Sequence, residues 1–253
     1  MLKIGFFGSC QLCNCYNFFL NEEVRNKNFL QIKFALPFYL YDNNYQENCD
    51  YLDYSIIDDL DILIIEINKL DNKASSKKII EYCYNKNPSI KIIKTFLIKF
   101  PIYPINWSGY GENGNDYINW SDLQLIDYNK RFEKCVESCK KNNMESDLTL
   151  DISNFIENNF AKQLLFTHSL HPTNVLLYEL WKSIFKCLEI NIDEFTFNFK
   201  EELILCWSNP FTEKMMKDLN IQFQTIVDDN FYIQRYNENK SNYNLFKNKI
   251  FSS

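Results

Sequence analysis

Residues 1–15, MLKIGFFGSCQLCNC, contain the stretch that decides the fold. Lys3 to Phe7 is a short apolar run of the kind that forms a buried parallel strand. Gly8 ends the run, and from Leu12 onward apolar side chains recur at helical spacing. The pattern predicts a strand, a tight turn and a helix. In an open α/β sheet such a turn lies at the carboxyl end of the strand, where ligands bind.

Cys10 stands at the tip of this turn. The N-terminus of a helix favours anions, and a thiol placed there is more easily ionised. Free cysteine is also a common small residue of protein cores, so a structural role is the alternative. A functional role is favoured by a second polar stretch far downstream, FTHSLHPTN at residues 166–174.

The rest of the N-terminal half alternates between strand and helix patterns. Apolar runs at 29–36, 61–67 and 90–96 predict three more strands, and 77–85 predicts a helix that ends before Pro88. This alternation predicts an α/β fold, a three-layer sandwich of the flavodoxin-like type with a central parallel sheet and helices on both faces.

The remainder is predicted to be helical with a less regular end. Helices are expected at 127–142 and 151–162, and a further helix opens near Pro172 and runs to about residue 188. We expect residues 1–190 to form the α/β domain and 191–253 an extension packed on it. Within that extension, 193–199 and 231–236 look extended, a helix starts after Pro210, and the polar tail from about 237 is predicted to be disordered.

Residues 101–120 form a loop rich in glycine and aromatic side chains, including Trp107 and Tyr110. A long aromatic loop after a strand suits a lid or a surface on which sugars stack. An ordered surface loop without function is the alternative.

Composition restricts the partners. The net charge is −6, which argues against nucleic acid as the main partner, because duplex binding needs a basic footprint. The nine cysteines, the absence of a signal-peptide pattern and the absence of a long apolar run predict a cytoplasmic protein with free thiols and no membrane span. No metal is expected at Cys10, Cys13 and Cys15, because the last two fall on different faces of the helix.

The chain has two histidines, His168 and His171, both just before Pro172. Histidine is the commonest general base near neutral pH, so a histidine-dependent enzyme would use one of these two. A cap at the start of a helix is the alternative for His171, and likewise for Asn68, which follows the third predicted strand.

The order of these stretches resembles the SGNH-hydrolase fold, in which a nucleophile turn follows the first strand, an oxyanion-hole Asn follows the third, and a His-Pro motif comes late. Cys10 stands where that family has serine, Glu66 where it has glycine, and His168 where it has aspartate. The Gly-Ser-Cys-Gln turn at 8–11 and the His-Pro-Thr-Asn segment at 171–174 are similar to those of the WcbI-type polysaccharide-biosynthesis proteins. That resemblance implies coenzyme A or acetyl-CoA as donor and acetylation of a glycan.

Acyl transfer to a sugar needs a base for the acceptor proton and donors for the developing oxyanion. We assign the base to His171, and the oxyanion donors to the backbone N–H of Cys10 or Gln11 and the side chains of Gln11 and Asn68. Cys10 either forms an acyl-enzyme or only shapes the site. The residues expected to contact substrate are Ser9, Glu66, His168, Trp107, Tyr110 and Asn174. Lys69 or a site histidine is the expected partner of the Glu66 carboxylate.

Three functions stay open on the sequence alone. The first is an acyl-CoA-dependent acetyltransferase acting on a sugar or nucleotide-linked sugar. The second is an SGNH-type carbohydrate esterase or deacetylase, which shares the base and oxyanion donors but uses water. The third is a non-catalytic module that binds glycans or nucleotides.

Overall fold

Four parallel strands form the centre of the molecule. The computed structural model describes residues 1–19, 30–38, 52–103, 126–190, 209–231 and 234. The strands are β1 (Leu2–Gly8), β2 (Leu30–Pro37), β3 (Ile62–Glu66) and β4 (Lys91–Thr95), in the order β2-β1-β3-β4. Each neighbouring pair is parallel, which confirms the predicted parallel sheet. The five residues of β3 are all buried, as expected of a strand covered on both faces.

Helices cover the sheet and lead into the C-terminal half. In chain order they are α1 (Cys10–Phe19), α2 (Ser76–Lys86), α3 (Tyr128–Glu145), α4 (Ile152–Asn159), α5 (Asn174–Cys187) and α6 (Glu213–Asp218). A two-stranded antiparallel hairpin of β5 (Phe166–His168) and β6 (His171–Pro172) precedes α5.

Two apolar clusters lie on opposite faces of the sheet. Ile62 and Ile64 of β3 pack in the larger cluster with residues of α1, α3, α4 and α5. Leu63 and Ile65, which alternate with them, pack in a second cluster with α2. Because successive strand residues point to opposite faces, this division makes a three-layer sandwich, which confirms the predicted fold class.

The C-terminal half departs from the sequence predictions in two places. Pro172 pairs in β6 rather than opening the helix, and α5 begins two residues later with Thr173 at its N-cap. Residues 229–231 and 234 are helical, so the extended segment predicted at 231–236 is wrong where it is described.

Residues after 208 also contribute to the core. Phe211 and Met215 are buried in the larger apolar cluster, together with Phe160 of the segment that follows α4. The division of the chain at residue 190 stays a prediction, and the segments predicted at 193–199 and from 237 lie outside the described residues. Within the part of the chain that the structure describes, none of the helices combines the length and apolar character that a membrane span requires.

Candidate active site

Buried hydrogen bonds to the neighbouring strand fix the turn between β1 and α1. The backbone N–H and the hydroxyl of Ser9 both donate to Oε2 of Glu66, at 3.1 and 2.6 Å. The Ser9 oxygen in turn accepts from the Gln11 backbone N–H at 3.2 Å. The end of β3 therefore holds the first turn of α1, and with it Cys10.

Gly8 is needed in this turn because three segments approach one another closely. A Cβ at Gly8 would lie 2.7 Å from the Leu12 side chain and 2.9 Å from the Cβ of Glu66. Both distances are shorter than van der Waals contact, so any side chain at this position would push α1 away from the end of β3.

The structure brings Cys10 and His171 together although they lie 161 positions apart in the chain. The Cys10 Sγ is 3.7 Å from the His171 Nε2, within the range of a hydrogen bond to sulfur. Cys10 is the first residue of α1, where backbone N–H groups have no acceptor within the helix. A thiol and a base thus meet at the carboxyl edge of the sheet, next to helix N–H groups that suit an anion.

The hairpin of β5 and β6 places the two histidines side by side. His168 pairs with His171 across the hairpin, and their ring centroids are 4.0 Å apart with a 41° angle between the planes. The Leu170 backbone N–H donates to His168 Nδ1 at 3.3 Å, so the proton of a neutral His168 ring is on Nε2. Burial, and then the charge of His171, lowers the pKa of His168 to about 4.

His171 is a neutral base at pH 7. Burial lowers its pKa below the usual 6.5. Its Nδ1 atom is buried and has no hydrogen-bond partner among the described residues. Among the described residues no carboxylate orients the ring from that side, and neutral His168 supplies no negative charge in its place. The imidazolium form of His171 is therefore unfavourable at rest, and the ring is neutral at pH 7.

Gln11 holds the histidine hairpin against α1. Its side chain is fully buried, and its Nε2 donates to the carbonyl oxygens of Ile98 at 2.9 Å and Leu170 at 2.7 Å. Its Oε1 accepts from the Ile98 N–H at 3.0 Å. Both amide hydrogens are used in these bonds, so the side-chain oxyanion donor proposed from the sequence does not fit. Gln11 instead positions His171 beside Cys10.

The Asn68 side chain is hydrogen-bonded within its own loop. Its Nδ2 donates to the Ala74 carbonyl at 3.0 Å, and its Oδ1 accepts from the N–H groups of Leu70 and Ser76, at 3.2 and 3.1 Å. Ser76 is the first residue of α2, so Asn68 secures the entry to that helix. This is the capping alternative, and no described contact joins Asn68 to Cys10 or His171, so we leave Asn68 out of the oxyanion site.

The structure describes four of the six residues expected to contact substrate. Ser9, Glu66, His168 and Asn174 are all buried, so their contact with substrate stays a prediction. Glu66 is paired with Ser9 rather than with Lys69 or a histidine, which corrects the partner expected from the sequence. Trp107 and Tyr110 lie outside the described residues.

The buried carboxyl of Glu66 is unusual because no cation accompanies it among the described residues. Burial raises its pKa to about 7, against the opposing effect of the two Ser9 hydrogen bonds. Its Oε1 is buried and has no partner in the described part of the chain. Burial, and then the charge of Glu66, raises the pKa of the nearby Cys13 to about 12, so Cys13 is a protonated thiol at neutral pH.

Glu66→Gln should change how stability depends on pH. The folded-state pKa near 7 exceeds the ordinary 4.5, so wild type loses stability as pH rises from about 4.5 to about 7, by up to about 3 kcal/mol in total. Glutamine keeps an oxygen acceptor for Ser9 without the charge. The free energy of unfolding of the variant minus that of wild type should therefore increase between pH 5 and pH 8. Urea titrations at both pH values measure this difference.

Glu66→Ala is the matched control, because it removes the acceptor as well as the charge. We expect this variant to be destabilised at both pH values, since the buried Ser9 groups lose their partner. A difference between Glu66→Gln and wild type that stays constant with pH would contradict a raised pKa of Glu66 in the folded protein.

Sequence reasoning missed the Ser9–Glu66 pair and the Gln11 contacts. The Ser9–Glu66 pair could have been found from the sequence. Ser9 follows β1 and Glu66 ends β3, and a parallel sheet places these two strands side by side. The Gln11 contacts have no sequence signal, because the acceptors of the Gln11 side chain are backbone carbonyls of distant segments. Metal ligation has no support in the described ranges, which contain no group of three or more His, Cys, Asp or Glu side chains suited to a metal. The expected absence of a metal stays a prediction.

The fold and site together define a three-layer α/β protein with a cysteine–histidine pair at the carboxyl edge of its parallel sheet. A solved structure of WcbI, described as a novel polysaccharide biosynthesis enzyme, is similar to it with a TM-score of 0.63, over 93% of this chain and 89% of that chain. That structure is described as the native protein without a disulfide bond between coenzyme A and a cysteine. The two sequences are 13% identical, so the likeness is one of fold. No protein-family model matches the chain, and no curated protein matches it by sequence.

Proposed function

We propose that this protein is an acetyltransferase of glycan biosynthesis, which moves an acetyl group from acetyl-CoA to a hydroxyl or amino group of a sugar. The observation that carries the proposal is the 3.7 Å approach of the Cys10 thiol to the His171 imidazole at the edge where α/β sheets bind ligands. The fold likeness to a polysaccharide biosynthesis enzyme whose description mentions coenzyme A supports the choice of pathway and donor.

In the first step His171 Nε2 takes the proton of the Cys10 thiol. The thiolate attacks the thioester carbonyl of acetyl-CoA, and the carbonyl oxygen becomes an oxyanion. When the tetrahedral intermediate collapses, the bond to the sulfur of coenzyme A breaks and the His171 proton goes to that sulfur. The products are S-acetyl-Cys10 and free coenzyme A.

In the second step His171 acts as base again. It takes the proton of the sugar hydroxyl or amine, whose oxygen or nitrogen attacks the acetyl group on Cys10. Collapse breaks the bond to Cys10 Sγ, which recovers the proton from His171. The acetylated sugar leaves and the enzyme returns to its starting state, so atoms and protons balance over the cycle.

The N-terminus of α1 is the proposed oxyanion site. The side chain of Gln11 is committed to backbone carbonyls, and the Gln11 N–H points to Ser9. The Cys10 N–H and the positive end of the helix dipole are therefore the features we assign to the oxyanion. A reduced Cys10 thiol requires a reducing compartment, so we propose that the reaction takes place in the cytoplasm.

The decisive assay measures consumption of acetyl-CoA with a panel of nucleotide-linked amino and deoxy sugars, beside a hydrolysis control with simple acetyl esters. We expect coenzyme A release that depends on a sugar acceptor. Ester hydrolysis without transfer to any sugar would contradict the proposal and favour an esterase. Sugar binding without either reaction would favour a non-catalytic module.

A further inference from the structure

A second concave site lies between the segment after β4 and the start of α3. It is a cavity of about 470 Å³, and its described lining includes four basic residues and one acidic residue. The basic residues are Lys99, Lys130, Arg131 and Lys134, and the acidic residue is Asp127. A cluster of this sign stands out in a chain whose net charge is −6.

Two of the five charged groups are already engaged. The Arg131 Nε donates to the Pro101 carbonyl at 2.6 Å and its Nη2 to the Tyr103 carbonyl at 3.0 Å, so its cation is held in place at the cavity wall. The Asp127 carboxylate caps α3 by accepting from the Lys130 backbone N–H at 3.0 Å. Both contacts are structural, and they fix the position of the cavity relative to α3.

The three lysines of the cavity are exposed and have no ion pair among the described residues. Lys130 and Lys134 are spaced i, i+4 on α3, where like charges repel and weaken the helix. A bound anion would remove this repulsion. Lysine binds phosphate as a point charge, and the fixed guanidinium of Arg131 adds to the field.

The cavity is joined to the cysteine–histidine site by one short segment. The backbone of Ile98 is hydrogen-bonded to the side chain of Gln11, and the Phe100 N–H donates to the Ser169 carbonyl at 2.8 Å. Lys99 lies between these two residues and lines the cavity. The cavity and the cysteine–histidine site therefore share this segment, which places them next to each other along the chain.

We propose that this cavity binds the phosphate groups of a nucleotide-bearing substrate. The inference rests on the proposed function, which involves two such substrates: the coenzyme A thioester donor and a nucleotide-linked sugar acceptor. Both carry a diphosphate, and the cavity chemistry is the same for each. The site explains how an acidic protein holds an anionic substrate, by concentrating cations at one place.

The test compares a double variant, Lys99→Ala with Lys134→Ala, with a control that replaces Lys140 and Lys141 by alanine. The control pair is exposed on the same helix and removes the same charge outside the cavity. Calorimetric titrations use coenzyme A, a uridine-diphosphate-linked amino sugar and phosphate-free pantetheine. We expect the double variant to bind one of the two phosphate ligands on the order of tenfold more weakly, with pantetheine unaffected and the control like wild type.

The ligand that loses affinity identifies the substrate that the cavity holds. Its binding to wild type should also weaken with rising ionic strength more steeply than binding to the double variant. Equal affinities of wild type and double variant for both phosphate ligands would overturn the cavity inference, and sugar acetylation in the same preparation would show that the proposed function stands without it. If the sugar nucleotide bound wild type more tightly than the double variant but no acetyl-CoA were consumed, the cavity inference would stand and the proposed function would be overturned.

Discussion

Replacing His171 by alanine should lower the rate of acetyl transfer by on the order of 10²–10⁴, the usual contribution of a general base. The ring lies 3.7 Å from the Cys10 Sγ and has a lowered pKa, so it is neutral and able to accept a proton at pH 7. Affinity for coenzyme A should change little, because the lost group serves proton transfer. Steady-state kinetics with a separate binding titration measure both quantities.

The pH profile separates a lost base from a damaged fold. In wild type the rate should rise with pH through the His171 pKa, which lies below 6.5, because only the neutral ring takes a proton. The alanine variant should lack that limb, and added imidazole should restore part of its rate. A variant with the wild-type pH profile, or with unchanged rate, would exclude His171 as the base.

Cys10→Ser is expected to lower transfer by more than about a hundredfold. A serine hydroxyl is far harder to ionise than a thiol, and His171 has no carboxylate partner among the described residues to strengthen it as a base. Initial rates at neutral pH with acetyl-CoA and the best acceptor measure the effect. Combining Cys10→Ser with His171→Ala should cost little more than either change alone, because the two residues act as a unit.

Cys13→Ser is the matched control for that variant. Cys13 lies three residues further along α1, and its thiol, with a pKa near 12, is protonated at neutral pH. It donates to the Gly8 carbonyl at 3.9 Å, a contact that a hydroxyl can replace. This variant should keep the wild-type rate. If Cys10→Ser also kept most of its activity, acetyl-CoA and the sugar would react directly and Cys10 would only shape the site.

The sheet and the turn that carries Cys10 could be predicted from sequence because they depend on local patterns. Continuous apolar runs such as Ile-Leu-Ile-Ile at 62–65 identify buried strands, and a cysteine in the turn after the first strand falls at the ligand edge of a parallel sheet. With only two histidines in the chain, one of them 161 positions from Cys10 was the natural base.

The amide side chains could not be assigned in the same way. Gln11 and Asn68 each follow a strand, a position that suits an oxyanion donor as well as a side chain that hydrogen-bonds its own loop or a neighbouring one. Their bonding is decided by where distant carbonyls lie, at Ile98 and Leu170 for Gln11 and at Ala74 for Asn68. That information arises only when the chain has folded, since the segments around Gln11 are brought together by tertiary packing.

The most direct test of the cysteine–histidine pair is the mass of the intact protein after mixing with acetyl-CoA in the absence of a sugar. We expect a gain of one acetyl group, located on Cys10 by peptide mapping, absent from Cys10→Ser and lost when the sugar acceptor is added. Rapid sugar acetylation by a protein whose Cys10 never carries the acetyl group would contradict it.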